Sequence, residues 1–204
     1  MLNVQLRQAT KGDVHEMIPL IYSSGPDSFD YVFKTNKYAA QDFLKYAFES
    51  GKGEFGYRNH YAVEQRGKVI GSAAVLTGAE TAQMTQTAIF QIISFYGIWT
   101  GLKVMLRGLR TETVIKPPKG EEQLLVHLGV HPDHRGKGVG GWMIEQLLRR
   151  LKVHHPIGLD VSVENPRAKA LYSRKGFKVK YKVKSPYKNQ YGKVADHERM
   201  FYSA

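Results

Sequence analysis

Val130-His131-Pro132-Asp133-His134-Arg135-Gly136-Lys137-Gly138-Val139-Gly140-Gly141 places four glycines, an arginine and a lysine at the junction of two residue patterns. Before it, residues 124–130 (LLVHLGV) read as a buried strand. After it, Ile144, Leu147, Leu148 and Leu151 follow the i, i+3, i+4, i+7 spacing of an amphipathic helix. A helix start presents unpaired N–H groups and a partial positive charge, which attract phosphate. Glycine lets the backbone approach a ligand closely, and Arg135 and Lys137 add charge at the rim. The stretch reads as an anion-holding turn.

Two other glycine motifs do not fit it. Gly136, Gly138 and Gly141 spell G-x-G-x-x-G, and Asp160 lies near the spacing of a ribose-binding acid. In that dinucleotide motif the first glycine follows its strand directly, whereas residues 131–135 intervene here. Asp160 is followed by more strand, and the turn comes late for a doubled mononucleotide-binding fold. The phosphate loop of nucleotide hydrolases needs Ser or Thr after Gly-Lys, but Lys137 is followed by Gly138.

Downstream, residues 157–163 read as a second strand and 166–175 as a short helix. In FKVKYKV (177–183), Val179, Tyr181 and Val183 alternate with lysines, so one buried face and one lysine face are expected. A last strand covers 198–202. Upstream, residues 2–10 alternate like a strand, and Asp13 starts a helix to about residue 22. Residues 23–27 break the pattern, and 36–48 are helical. Residues 60–78 form two strands joined at Arg66-Gly67-Lys68. A long helical stretch from 85 to 109 ends in the Pro117-Pro118 loop. The order predicts a mixed α/β domain with a largely antiparallel sheet.

A second block completes the pattern. Asn165-Pro166-Arg167-Ala168-Lys169-Ala170-Leu171-Tyr172-Ser173-Arg174-Lys175-Gly176-Phe177 resembles N-x-x-A-x-x-L-Y-x-x-x-G-F of the GNAT superfamily of N-acetyltransferases. The family's R/Q-x-x-G-x-G/A falls on Arg135, Gly138 and Gly140, after a strand ending in Val-x-Pro. The resemblance covers residues 124–182, while the first hundred residues match only in their order of elements. It implies one GNAT-like domain over residues 1–204, with a mostly antiparallel twisted sheet, flanking helices and a splayed strand pair. Residues 1–120, with the inserted helix at 85–109, would form the acceptor side, and 121–204 the acyl-CoA side.

The resemblance also assigns roles. Amides around Arg135, Gly136, Lys137, Gly138, Val139 and Gly140 would hold the pyrophosphate of acetyl-CoA, the acyl donor. The pantetheine arm would enter a gap between the strand ending at Val130 and its neighbour at 157–163, bonding as a strand does. The N–H of Val130, or of Leu128 nearby, would face the thioester oxygen. Asn165 would bond the pantetheine amides while capping its helix. Tyr172 is the expected general acid, since a phenol near pKa ~10 can protonate a thiolate near ~8.5. For the base, Glu122 and His127 are the candidates, with His131 beside them. A carboxylate is frequent on this strand in the family, and histidine titrates near neutral pH. Asp27 and Asp30, in an acidic and aromatic stretch from 24 to 33, are the candidate acceptor-binding residues. Their alternative is that Asp27 caps a helix while the aromatics fill the core. Metal is not expected, because no neighbouring acid gives the histidines zinc spacing.

Composition bounds the rest. The 204 residues suffice for one domain and contain no cysteine, which excludes disulfides and a cysteine nucleophile, so direct transfer within a ternary complex is expected. No signal-peptide core opens the chain, and a cytoplasmic location is the expectation. Residues 81–102 carry no charge but begin with threonine and glutamine, so a packing helix is expected in place of a membrane span. The net charge of +12 resides in residues 101–204, where 21 Lys and Arg face nine Asp and Glu. That balance suits a phosphorylated ligand. Two other functions compete: a basic nucleic-acid-binding module using the lysines at 178–188, and an acyl-CoA sensor without turnover. The acceptor, a small-molecule or peptide amine, stays open, as does homodimerisation.

Overall fold

The computed structural model describes residues 3–151 and 154–203. Its centre is a strand that alternates in neither sense. β3 (Lys68–Thr77) is buried at almost every position, as a central strand covered on both faces must be. β2 (His60–Gln65) precedes it across Arg66 and Gly67, both at positive φ in a two-residue hairpin turn. β1 (Gln5–Gln8) closes that edge. On the other side of β3 lie β4 (Gln123–Val130), β5 (Ile157–Ser162), β7 (His197–Tyr202) and β6 (Phe177–Val183). Among the described residues these seven strands form one sheet in the order β1-β2-β3-β4-β5-β7-β6. Every pairing is antiparallel except β4 with β5.

Helices cover both faces. α1 (Val14–Ser23), α2 (Pro26–Phe33), α3 (Ala40–Ser50), α4 (Thr81–Tyr96) and α5 (Ile98–Glu112) build one apolar layer, with Met17, Ile21, Phe43, Leu44 and Phe48 fully enclosed. α6 (Val139–Leu148) and α7 (Pro166–Arg174) build the other, around Leu125, Met143, Ile144, Leu147, Leu159 and Met200. Each such side chain contributes ~1.5–3 kcal/mol by leaving water, so the two layers clamp the sheet from both sides.

Three expectations are corrected. The helical stretch at 85–109 is two helices, broken at Gly97, whose φ of 74° ends α4 and starts α5. Residues 26–33, which run from the expected break at 23–27 into the stretch ahead of the expected 36–48 helix, form α2, with Pro26 at its first position and Gly25 as its cap. The alternating face of β6 is not buried: Val179 and Tyr181 are 44% and 38% exposed. β6 is the sheet edge, and its register shifts between Val179 and Tyr181. Tyr181 instead lies beneath the Lys116 ammonium, 5.6 Å from the ring centre.

Two irregularities of β4 create the site. Its pairing with β5 ends at Leu125 opposite Leu159, though both strands continue, so the two diverge towards the glycine turn. Its register against β3 shifts between Ser72 and Ala74, and His127 at the bulge has φ 53°. Such an angle is uncommon for a non-glycine residue, and the Ser72 hydroxyl holds it by donating to the His127 carbonyl at 2.9 Å. Two residues on, α1 crosses so closely that a Cβ at Gly129 would strike the Leu20 carbonyl oxygen.

Candidate active site

A cleft of about 700 Å³ follows the gap between β4 and β5. Leu128, Gly129 and Val130 form one wall, and Asp160, Val161 and Ser162 the other. The glycine turn and the start of α6 close one end, α7 supplies Ala168, Leu171 and Tyr172, and residues 23–28 before and within α2 reach in from the acceptor side.

The turn is built to leave amides free. Arg135 does not contribute its own, because that N–H donates to the Pro132 carbonyl. Gly138 caps α6 at φ 85° and Gly136 sits at φ 76°, angles that glycine adopts at no steric cost. Among the described residues, the N–H groups of Gly136, Lys137 and Gly138 meet no backbone acceptor. Those of Val139, Gly140 and Gly141 lie in the first turn of α6, where no intrahelical partner exists. Arg135 turns back, its Nε donating to the Val130 carbonyl at 2.8 Å. This cradle of N–H groups fits a pyrophosphate.

Tyr172 lines the cleft with its residue 9% exposed. Burial pushes its hydroxyl up to about 12, so it stays protonated at neutral pH. Among the described residues the Tyr172 hydroxyl has no hydrogen-bond partner. Asn165 is also in the cleft, and its Oδ1 caps α7 by accepting from Ala168 N at 3.0 Å, which leaves its amide NH₂ available. Asp160 faces the same space but is held by Arg199 through two contacts of 2.8 Å.

The two base candidates separate. Glu122 lies just before β4, at the end opposite the cleft, where its carboxylate accepts from Lys119 N at 2.9 Å. Eight residues of strand at ~3.3 Å each keep it more than ~20 Å from Val130. His127 instead adjoins the cleft wall, buried in a three-ring cluster with Phe55 and Phe29 at ring-centre distances of 5.0 and 5.9 Å. Its Nε2 is 3.4 Å from Glu54 Oε1, and its Nδ1 is 3.0 Å from His60 Nε2. His131 and His134 lie on the turn with ring centres 5.9 Å apart, away from this pair. Among the described residues no three His, Asp or Glu side chains gather as a metal-holding group.

The two acceptor-side acids also differ. Asp27 is exposed in the first turn of α2 and lines the cleft; the cap of that helix is Gly25, so Asp27 is not engaged as a cap. Asp30 is already occupied, accepting from Tyr22 Oη at 3.1 Å and pairing with Lys34 Nζ at 3.2 Å. Sequence reasoning overlooked Glu54 and His60. Neither belongs to a recognisable spacing, and only the bulge at His127 brings them to the site.

Residues 105–179 match the family model of the acetyltransferase (GNAT) domain. No curated protein sequence matches the chain. An N-acetyltransferase from Staphylococcus aureus Mu50 superposes with a TM-score of 0.72 at 15% identity, over 97% of this chain and 99% of that one. A chimera of spermidine N-acetyltransferase from Vibrio cholerae and hSSAT gives 0.56 at 18% identity, over 98% and 95%. An agmatine N-acetyltransferase mutant gives 0.56 at 15%, over 98% of each chain. At these identities the likeness is one of fold. Among the described residues no helix is long and apolar enough to cross a membrane.

Proposed function

From the match of residues 105–179 to the acetyltransferase (GNAT) domain, and a fold shared with solved N-acetyltransferases, we propose that the chain transfers an acetyl group from acetyl-CoA directly to the amine of an acceptor. The observation that carries this reading is the divergence of β4 from β5 beside the unpaired amides of residues 136–141, with Tyr172 in the same cleft. Acetyl-CoA supplies the acyl group as a thioester, already activated towards an amine.

The amides of Gly136 to Gly141 hold the pyrophosphate, with Lys137 at the rim. The facing edges of β4 and β5, and the Asn165 amide, offer hydrogen bonds to the pantetheine arm. An N–H on the open side of β4, at Val130 or Leu128, stabilises the oxyanion that develops as the amine attacks. His127 takes the proton lost by the amine nitrogen, and Glu54 stabilises the imidazolium so formed. As the C–N bond forms and the C–S bond breaks, Tyr172 gives its proton to the departing sulfur. The burial that makes Tyr172 a weaker acid also makes a thiolate in that cleft a stronger base, so the two stay matched.

Asp27, which lines the cleft, draws in a cationic acceptor, and the rings of Phe29 and Phe55 that pack against His127 offer it aromatic faces. Solved structures of similar fold include enzymes named for spermidine and agmatine, both amines. Thiol release from acetyl-CoA should therefore be measured with spermidine, agmatine, amino acids and a peptide with a free N-terminus. Release with at least one, and calorimetric binding of acetyl-CoA, are expected. Binding without release from any amine would reduce the protein to a sensor, and absent binding would end the reading.

A further inference from the structure

His60 is fully buried at the start of β2, yet nothing in transfer chemistry calls for a second histidine there. Its two ring nitrogens have different partners. Nδ1 lies 3.0 Å from the Gly56 carbonyl oxygen, and Nε2 lies 3.0 Å from His127 Nδ1. The His60 and His127 rings are within 5° of parallel, an arrangement compatible with an in-plane hydrogen bond between the two imidazoles.

The protons on this chain can be assigned by elimination. A carbonyl oxygen only accepts, so His60 Nδ1 carries a proton. No carboxylate contacts His60, and a cation there would be enclosed without a counterion; burial, and then His127, push its pKa down to about 3. His60 is therefore neutral at working pH, and its Nε2 holds a bare lone pair. That lone pair can only accept, so His127 Nδ1 is the donor. The remaining nitrogen, His127 Nε2, faces Glu54 at 3.4 Å, while Phe55 and Phe29 pack against the ring.

We propose that His60 is a positioning residue that fixes His127 in the Nδ1–H tautomer, so that Nε2 is the nitrogen which accepts the proton of the attacking amine. The proposal rests on His127 being the base. Without His60, the proton would move to Nε2 beside the Glu54 carboxylate, because a buried Nδ1–H with no acceptor is unfavourable and Glu54 would accept it. His127 would then present a donor where the reaction needs a lone pair. The backbone of His127 is held separately by Ser72, so the tautomer is the property that His60 controls. The other ionisable groups facing the pair are Glu54 and, through it, Glu112 of α5, whose carboxyl partial burial and then Glu54 hold above its usual range.

The test uses ¹⁵N-labelled wild-type protein, in which imidazole nitrogen shifts identify the protonated atom of each ring; the His127 signals are those missing in His127→Gln. With both rings neutral, Nδ1–H is expected on both His60 and His127. Nε2–H on neutral His127 in the wild type overturns the proposal without any variant having to fold. His60→Gln keeps an acceptor for His127 and a donor for Gly56, whereas His60→Phe keeps ring volume and removes both. Relative to wild type, turnover should fall about tenfold or more in His60→Phe and stay within about threefold in His60→Gln. KM for acetyl-CoA should not move. His60→Phe should also move His127 to Nε2–H and change the pH profile of kcat/KM for the amine. Undiminished turnover in His127→Gln ends the base reading and this proposal with it. Loss in His127→Gln with wild-type turnover in His60→Phe overturns the role of His60 alone, as does a folded His60→Gln variant no better than His60→Phe.

Discussion

Arg135 Nε donates to the Val130 carbonyl oxygen at 2.8 Å, so the first residue of the glycine motif is tied to the last residue of the strand it follows. The bond makes the arginine a brace as well as a cation. It helps set how far the free amides of residues 136–141 stand from the open edge of β4, and thus, in the proposed complex, the span between pyrophosphate and thioester. Arg135→Gln should raise Kd for acetyl-CoA by roughly tenfold, the scale of one lost charge-assisted contact. Calorimetry showing the same Kd would mean that the amides hold the phosphates without the brace.

Gly138 meets a different demand. It caps α6 at φ 85°, where a side chain is strained. Gly138→Asp also sets a carboxylate where phosphate is expected. Binding of acetyl-CoA should disappear while circular dichroism reports the same helix content; retained binding would move the pyrophosphate site elsewhere.

Tyr172 has a hydroxyl pushed up to about 12 by burial, so its ionisation should not reduce activity in the neutral to mildly alkaline range. Tyr172→Phe should lower kcat by roughly 10²-fold with acetyl-CoA affinity nearly unchanged, as removal of a proton donor requires. If kcat is unaffected, the ring contributes only its contact with Phe177. No acetylated enzyme should accumulate, and a stable mass increase on intact protein would replace direct transfer with a covalent route.

The glycine turn and α7 could be read from sequence because their chemistry is local: strand, turn and helix start are adjacent, and Asn165 caps the helix it precedes. The divergence of β4 from β5 followed from the resemblance alone. The His60–His127–Glu54 chain was not legible. His60 and His127 stand 67 residues apart, and a positive φ at a bulge decides where the His127 ring goes. Strict alternation would have carried Glu122 and His127 along an unbroken strand. In β6 the alternation was real but misleading, since an edge strand with no layer over Val179 and Tyr181 buries neither. Periodicity predicts which residues share a face, not whether anything covers it.

Stability should depend on acid through Asp13. Hydrogen bonding to Arg7, reinforced by Thr10 against an opposing cost of burial, lowers its carboxyl from the usual 3.8 to about 2. A carboxyl lowered on folding stabilises the native state above its unfolded pKa, and that contribution fades as pH falls through the folded value. Asp13→Asn should therefore lower Tm at pH 7, with the gap from wild type closing between about pH 4 and 2. A gap of constant size across that range would mean that Asp13 acts through packing alone.

The acceptor side gives a contrast between neighbours. Asp27 and Asp30 lie three residues apart, nearly one turn of α2, and both looked suited to an ammonium group. Asp30 already accepts from Tyr22 and pairs with Lys34, so a cationic acceptor would have to displace an existing cation to use it. Asp27 is exposed to the cleft with no hydrogen bond or ion pair from its carboxylate among the described residues, and Lys193, which feels its charge, is paired with Glu164. Neutralising a free surface acid removes an attraction that solvent partly screens, worth about 1 kcal/mol for a close pair. Asp27→Asn should therefore raise KM for a cationic amine by about fivefold, since 1.4 kcal/mol is tenfold, and the increase should shrink at high salt. Asp30→Asn should leave that KM nearly unchanged and reduce thermal stability slightly, as it loses the Lys34 pair. KM for acetyl-CoA is the internal control and should hold in both. A larger amine effect from Asp30 than from Asp27 would place the acceptor on the Tyr22 side of α2, away from the cleft mouth.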